Sequence, residues 1–171
     1  MKFTVETTYD QKTMTALARV LRKTLRAKRN KRTHIFGWLL IIVTLLLMWA
    51  QDFILNAQSV VTMVAMVVMA ATLLWEDHIN GYTARKRLLK GLDKSLTSFS
   101  EDGYESVTAV GKTQWTYNVV DRIVKHGEYV VFVFDKNHGQ VYDLQNLSGG
   151  TVDEFQHFLT EKTGKNIEIL K

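Results

Sequence analysis

The 171-residue chain contains no cysteine. This absence excludes disulfide bonds, thiolate catalysis and metal sites built from cysteine. The phosphate-binding signatures GxGxxG and GxxxxGK[ST] are missing as well. The five histidines are scattered, and only His157 has a carboxylate, Asp153, at a suitable helical spacing. Since a metal site needs three or four converging ligands, we predict no catalytic residue, no metal site and no cofactor.

Charge is almost absent from one long stretch. The 43 residues between Arg32 and Glu76 carry a single formally charged side chain, Asp52. One helix of that length would span about 65 Å, about twice the hydrocarbon core of a bilayer. We therefore predict a transmembrane hairpin over residues 35–75, with spans at 35–55 and 57–75 and a turn near Asp52. The alternative, a buried hairpin in a soluble protein, leaves little chain to cover two helices that are apolar on every face.

The basic residues are concentrated before the predicted hairpin. Residues 1–34 carry ten Lys/Arg against two Asp/Glu, whereas residues 76–171 carry twelve against fourteen. Lys and Arg collect at the cytoplasmic ends of spans, so both termini should be cytoplasmic. Trp38 and Trp75 are then expected at the inner interface and Trp49 at the outer one. The acidic balance after the hairpin argues against a nucleic-acid partner.

Residues 11–34 are predicted to form a basic, amphipathic juxtamembrane helix with Thr13 as its cap and Asp10 nearby. Its apolar stripe comprises Met14, Leu17, Ala18, Leu21 and Leu25. We expect anionic lipids of the inner leaflet as partners, and the candidate contacts to their head groups are Arg22, Lys23, Arg26, Lys28, Arg29, Lys31 and Arg32. Two alternatives stay open: the cluster only sets the topology, or the stripe packs on the soluble domain.

Two acidic residues, Glu76 and Asp77, follow the second predicted span directly. They emerge at the depth where Arg29, Lys31 and Arg32 enter the first span, which predicts interhelical ion pairs. The alternative is that both carboxylates are solvated, since exposed pairs contribute only about 0–1 kcal/mol.

The remaining chain is predicted to be a helical exit at 76–94, breaking around Gly91, and a β-rich domain at 95–171. Short segments rich in Val, Thr, Tyr and Phe alternate with turns at Gly103, Gly127 and Gly139, as in antiparallel hairpins. Thr151 and Glu154 form a capping-box pattern before a helix at 151–163. Trp115 is predicted to be a core residue. Residues 1–10 alternate like a strand and are predicted to join the same sheet.

This order of elements resembles the YcxB-like family of small bacterial two-span membrane proteins. The resemblance rests on FSEDGY at 99–104, on QW followed by VVDRIVKHGEYVVFVF at 114–134, and on residues 141–150 leading into DEFQHFL at 153–159. It implies a bacterial plasma-membrane location and an α+β fold whose cytoplasmic domain is a PH-like split barrel capped by the C-terminal helix. Family members often carry a proline before that helix, and this chain has none.

The functional prediction is a non-enzymatic membrane protein that presents its PH-like domain for binding to a protein, a peptide or lipid head groups. An unidentified protein partner is expected in addition to lipid, and a homo-oligomer is possible but not indicated by the sequence. The alternative is an immunity-type protein that neutralises a membrane-acting toxin, suggested by small size and two spans. An enzyme or transporter component is disfavoured, because the few polar side chains of the spans lie mostly at the outer turn.

Overall fold

The computed structural model describes residues 3–51, 53–54, 56–135 and 138–170. Their helices are α1 (Gln11–Thr24), α2 (Ala27–Trp49), α3 (Ala57–Leu74), α4 (Glu76–Lys86) and α5 (Val152–Thr163). Their strands are β1 (Phe3–Thr8), β2 (Lys94–Phe99), β3 (Tyr104–Thr108), β4 (Gly111–Trp115), β5 (Arg122–His126), β6 (Tyr129–Val133), β7 (Gly139–Asp143), β8 (Leu147–Ser148) and β9 (Ile167–Ile169).

The two long helices α2 and α3 are apolar enough to cross a membrane. They contain 23 and 18 residues, with mean hydropathy of 1.7 and 2.0. At ~1.5 Å per residue α3 is about 27 Å long, close to a hydrocarbon core of about 30 Å, whereas the apolar part of α2 from Ile35 to Trp49 covers about 22 Å. Most of their apolar side chains are exposed. The chain is therefore an α+β protein with two apolar helices that could span a membrane, followed by a β-rich domain.

Helix α2 has other bounds than the first predicted span, 35–55, which it contains in part. Helix α2 begins at Ala27, because the basic residues before Ile35 are good helix formers and no glycine or proline interrupts them. It ends at Trp49, and α3 begins after Asn56, which caps it through a reciprocal pair with Ser59. The turn predicted at Asp52 and the end predicted at Leu55 lie outside the described residues.

The β-rich domain consists of two sheets. The first has the strand order β4-β3-β2-β1-β8, and all of its pairs are antiparallel. The predicted N-terminal strand thus lies inside this sheet, where Phe3 faces Phe99 and Thr8 faces Lys94. The second sheet has the order β7-β6-β5-β9, and its β5–β9 pair is parallel, unlike the antiparallel hairpins that the sequence predicts.

The main core lies between the two sheets and α5. Phe3 packs against Phe155 and Phe158, with ring centroids 5.3 and 5.2 Å apart, and Phe99 and Phe132 fill the centre. Helix α5 starts with the predicted capping box of Thr151 and Glu154 and ends at Thr163, followed by Gly164 as its C-cap with a φ of 66°. Residues on both sides of the apolar hairpin therefore build one core.

A second core lies on the opposite face of the second sheet, under α1. Tyr129, Val131 and Val133 of β6 point to this face, where Ala16 and Val20 of α1 cover them. Strand β6 is buried on both faces, which explains its uninterrupted apolar sequence. Leu17, Leu21 and Leu25 of the predicted apolar stripe are partly buried against this core, so the stripe packs on the domain as one of the alternatives expected.

The predicted cap of this helix is wrong. Asp10 is the N-cap of α1, and its side chain accepts a hydrogen bond from the Thr13 amide at 2.8 Å. Thr13 lies inside the first turn and is buried. The predicted helix 11–34 is also divided, since α1 ends at Thr24 and α2 starts at Ala27.

Of the three glycines predicted at turns, Gly103 and Gly127 lie at turns, and Gly139 is the first residue of β7. The Gly103 carbonyl oxygen accepts a hydrogen bond from the Ser100 amide at 2.9 Å in the β2–β3 turn. Gly127 has a positive φ of 58° and turns the β5–β6 hairpin, as expected. Gly103 and Gly139 do not adopt positive φ. A Cβ atom at Gly139 would lie 2.9 Å from the Phe132 carbonyl oxygen, so this position needs a residue without a side chain.

The contact between α1 and α4 is close at Gly81. A Cβ atom at this position would lie 2.7 Å from the backbone nitrogen of Thr15. The Gln11 side chain donates to the His78 carbonyl oxygen of α4 at 3.0 Å. Helix α4 follows α3 after one residue, Trp75, so this packing ties the domain to the apolar hairpin.

We expect Gly81→Ala to destabilise the full-length protein by about 1–3 kcal/mol, the range for overpacking. The gain of up to about 1 kcal/mol in helix propensity is too small to offset a backbone clash. Gly111→Ala is the matched control, because a Cβ atom there meets nothing within 4 Å. Thermal unfolding in detergent checks this, and an unchanged midpoint for Gly81→Ala would contradict the close α1–α4 contact.

Candidate functional site

The α1–α4 junction contains a buried carboxylate. Asp77, in the first turn of α4, is 7% exposed. Arg22 of α1 donates from Nε to Oδ1 at 2.5 Å and from Nη2 to Oδ2 at 2.7 Å. Arg19, one helical turn earlier, donates from Nε to Oδ2 at 3.1 Å. Two arginines from one helix thus hold one carboxylate from the other in charge-assisted hydrogen bonds.

These contacts correct the predicted partners of the acidic pair. Asp77 pairs with Arg19 and Arg22, and not with Arg29, Lys31 or Arg32. The reason is that α4 packs along α1, whereas the prediction placed it beside the start of the first span.

The neighbouring carboxylate, Glu76, contacts α2. His34 Nε2 lies 2.7 Å from Glu76 Oε2. In the orientation that its neighbours favour, the Asn30 amide donates to both oxygens of Glu76 at 2.9 Å and accepts from Arg22 Nη1 at 3.0 Å. Glu76 therefore links the first turn of α4 to α2 and, through Asn30, to α1.

The ionisation of Asp77 depends on this arrangement. Burial alone would raise the pKa of the Asp77 carboxyl, but the hydrogen bonds and charges of Arg22 and Arg19 hold that pKa below its ordinary value. The same pair raises the pKa of Arg22. Both groups thus stay charged at neutral pH, and the junction remains an ion pair.

The arginine contacts extend to the edge of the second sheet. Arg19 Nη1 lies 3.4 Å from His126 Nε2, and His126 Nδ1 lies 3.0 Å from the Leu170 carbonyl oxygen. His126 ends β5, and Leu170 follows β9. One polar chain therefore runs from α4 through α1 to the parallel strand pair β5–β9.

Beside this junction lies an open cavity of about 1400 Å³, which we call the helix–sheet cleft. Its helical walls are formed by one face each of three helices. Helix α1 contributes apolar side chains: Met14, Leu17, Ala18 and Leu21. The segment from Arg26 into α2 and helix α4 contribute rows that are mainly polar: Arg26, Arg29, Asn30 and Thr33, and Glu76, Asn80, Thr83, Ala84 and Arg87.

The β-rich domain closes the other side of the cleft. Trp115 and Phe134 stack there with ring centroids 5.4 Å apart and an interplanar angle of 6°. Val119 and Gln140 lie beside them, together with Asp135, whose Oδ2 is 2.7 Å from His138 Nδ1. Trp115 is only partly buried, so this predicted core residue also forms part of an accessible wall. The cleft therefore combines a cationic and polar side with an apolar one.

The residues predicted to contact lipid head groups fall into three sets. Arg22 is engaged by Asp77. Arg26 and Arg29 line the cleft. The exposed side chains outside its lining are Lys23, Lys28, Lys31 and Arg32. The sequence prediction missed Arg87, which lies at the C-cap of α4 and lines the same cleft; the basic run at 84–90 was a signal for it.

The tryptophans lie at the ends of the apolar helices or close to them. Trp49 ends α2 and is 68% exposed, and Trp75 follows α3 and is 55% exposed. Gly37, next to Trp38, lies against Leu73 near the end of α3, since a Cβ atom at Gly37 would lie 2.8 Å from the Leu73 side chain. Trp38 is therefore at about the same level of the hairpin as Trp75. Trp38 and Trp75 thus share one end of the hairpin and Trp49 lies at the other, an arrangement compatible with two interfacial belts.

The glycine-containing turn before α5 could hold an anion at the helix N-terminus, but it has an ordinary structural role. The turn Ser148–Gly149–Gly150 precedes α5, but the Glu154 carboxylate already accepts from the Thr151 amide at 2.7 Å. An anion at this helix end would meet that carboxylate. Within the part of the chain that the structure describes, no three His, Asp or Glu side chains form a group that could hold a metal ion.

Comparisons with known proteins identify no family. No protein-family model and no curated protein matches the chain. A solved structure, "Structure of the Spt16D Pob3N heterodimer", matches 47% of this chain with 11% identity and a TM-score of 0.31. The match covers 47% of that chain, about half of its length. A likeness this weak supports no conclusion about this protein.

We expect Asp77→Asn to destabilise the protein at pH 7 by about 2–3 kcal/mol, because it leaves two partly buried arginines without their counter-charge. The effect should fall below that for a fully buried pair, since the Arg19 side chain is 38% exposed. Asp102→Asn, at an exposed turn, is the control.

The pH dependence follows from the lowered pKa of Asp77. The carboxylate contributes its full stability above its ordinary pKa of 3.8 and loses it as the pH falls through the lower value of the folded state. The difference between the original protein and Asp77→Asn should therefore shrink below about pH 4. Thermal unfolding between pH 3 and 7 checks this, and a constant difference would contradict the ion pair.

Proposed function

We propose that this chain is a non-enzymatic integral protein of a bacterial plasma membrane. In this proposal α2 and α3 cross the membrane as a hairpin, and both termini lie in the cytoplasm. The β-rich domain is a PH-like split barrel of the kind that the YcxB-like resemblance implies. It binds a protein, a peptide or lipid head groups at the membrane surface, without a cofactor.

The observation that carries the proposal is the double attachment of α1. One face of α1 is buried in the second core through Ala16 and Val20, and another holds Asp77 of α4 through Arg19 and Arg22. Helix α4 continues from α3 and α1 leads into α2, so both connections to the hairpin are fixed. This construction supports a domain that is held in a constant orientation at a membrane surface.

The cytoplasmic orientation is supported by the exposed basic residues. Lys28, Lys31 and Arg32 lie on α2 before its apolar part, and Arg85 and Lys86 end α4 on the same side of the hairpin. The described part of the connection between α2 and α3 contains neither Lys nor Arg. This asymmetry favours a cytoplasmic position for the domain.

A surface for a peptide or protein partner is available at β4. This strand lies at the edge of the first sheet, and residues 111–114 are exposed. The only strand among the described residues that pairs with it is β3. An edge strand of this kind can accept an added strand from a partner.

The alternative of an immunity-type protein stays a prediction from chain size and the number of spans. The same experiment bears on it, because a toxin would then be the partner found at the domain.

The test is site-specific photo-crosslinking of the full-length protein in its native cells. A benzophenone amino acid replaces Thr113 on β4 or Val119 in the cleft, and Lys165, exposed after α5, is the control. We expect a discrete protein or lipid adduct from Thr113, from Val119 or from both, and none from Lys165. Adducts at neither position, with the protein present in the membrane, would contradict a binding function.

A further inference from the structure

We propose that the helix–sheet cleft binds one anionic glycerophospholipid of the surrounding leaflet. Its phosphate lies against Arg29 at the membrane end, and its head group extends along α4 toward Arg87. The inference rests on the proposed function, since it requires that the hairpin spans a membrane and that the cleft opens at its surface.

Charge favours an anionic ligand. The cleft is lined by Arg22, Arg26, Arg29 and Arg87 against the two carboxylates of Glu76 and Asp135. No carboxylate of the described residues lies within 4.0 Å of the Arg29 or Arg87 guanidinium, whereas Arg22 is held by Asp77. Both opposing carboxylates already have partners, Glu76 in His34 and Asp135 in His138. Two arginines therefore remain available to a phosphate.

The position of the cleft favours a lipid over a soluble anion. Arg29, Asn30 and Thr33 line the end of the cleft that is nearest to the hairpin, and the apolar part of α2 begins at Ile35 and Phe36. Arg29 precedes Ile35 by six residues, a rise of about 9 Å along the helix. Phe36 follows Arg29 by seven residues, so it lies on the same helix face, and it is 62% exposed; acyl chains can pack on it while the phosphate reaches Arg29.

The walls and size of the cleft fit an amphipathic molecule. Asn80 and Thr83 supply hydrogen-bonding groups between the two arginines, while Leu17, Leu21 and Phe134 form an apolar wall opposite them. Small-molecule pockets measure about 300–1,000 Å³. The cleft is larger, about 1400 Å³, which suits a head group with its glycerol backbone.

The test uses the full-length protein in a neutral detergent and counts bound lipids by native mass spectrometry. The probes are phosphatidylglycerol, phosphatidylcholine and sn-glycerol 3-phosphate. Two matched pairs of charge reversals separate the cleft from its surroundings. Arg29→Glu is compared with Lys28→Glu, the next residue of α2, and Arg87→Glu with Arg85→Glu of α4. The residue changed in each comparison variant is exposed and lies outside the lining.

We expect one phosphatidylglycerol per chain, bound more tightly than phosphatidylcholine. Reversal of one arginine changes the local charge by two, which should weaken that binding about 30-fold for Arg29→Glu. Arg87→Glu should weaken it as well, and the two control variants should retain it.

Four results would overturn the inference. The first is an equal loss of bound phosphatidylglycerol in the two variants of either pair, and the second is binding of phosphatidylcholine as tight as that of phosphatidylglycerol. The third is binding of sn-glycerol 3-phosphate as tight as that of the lipid, and the fourth is a peptide that co-purifies in the cleft in place of lipid. If only the lipid inference fails, the cross-link at Thr113 is unaffected. If the proposed function fails, the adducts at both Thr113 and Val119 are absent.

A third pair of variants tests the apolar wall and leaves the arginines unchanged. Val119 and Val107 are 40% and 43% exposed, and only Val119 lines the cleft. Val119→Asp should reduce bound phosphatidylglycerol, and Val107→Asp, on the outer face of the first sheet, should not. Undiminished binding to Val119→Asp would also overturn the inference.

Discussion

The ion pair of Asp77 with Arg19 and Arg22 determines how the β-rich domain lies on the two apolar helices. A buried carboxylate is stable only when its charge is compensated, and here both compensating groups come from one neighbouring helix. This fixes α4 against α1, and the close approach at Gly81 permits the contact. A purely apolar contact would be less specific, because it lacks the directional requirement of a bidentate guanidinium.

Helix α1 is the element that joins the apolar hairpin to the domain. Its small residues Ala16 and Val20 pack on β6, its arginines hold α4, and its longer apolar side chains line the cleft. Strand β1 directly precedes it and lies inside the first sheet. The domain therefore contains chain from before and after the hairpin. A fragment limited to residues 95–171 would lack β1 and also α1, which covers β6.

Much of this could be predicted from residue patterns. The uncharged stretch predicted two helices because few soluble folds can cover them, and Thr151 with Glu154 marked the start of α5. The burial of β6 on both faces was also visible, since its five consecutive apolar residues exceed what a half-buried strand needs. The packing of α1 was harder to predict, because the large side chains of its stripe suggested the buried face, whereas the smaller Ala16 and Val20 allow the closest approach to the sheet.

The tertiary contacts of charged residues could not be predicted in the same way. Nothing in the spacing of Asp77 distinguishes Arg19 and Arg22 from the arginines nearer to the first span, because the choice depends on the helix against which α4 packs. The cleft is likewise a product of three helices and a sheet, and Arg87 belongs to it only through the direction of α4. Such sites arise from packing, which a local pattern does not encode.

We expect the α1–α4 junction to hold the domain at a fixed orientation on the hairpin. Since the chain contains no cysteine, spin labels at Lys28→Cys on α2 and Thr113→Cys on β4 would report only that geometry. Double electron–electron resonance spectroscopy in lipid nanodiscs should give one narrow distribution of the distance between the two labels. This distribution should broaden when Asp77→Asn is added. A broad distribution before that substitution would contradict the account, because the domain would then move freely relative to the hairpin.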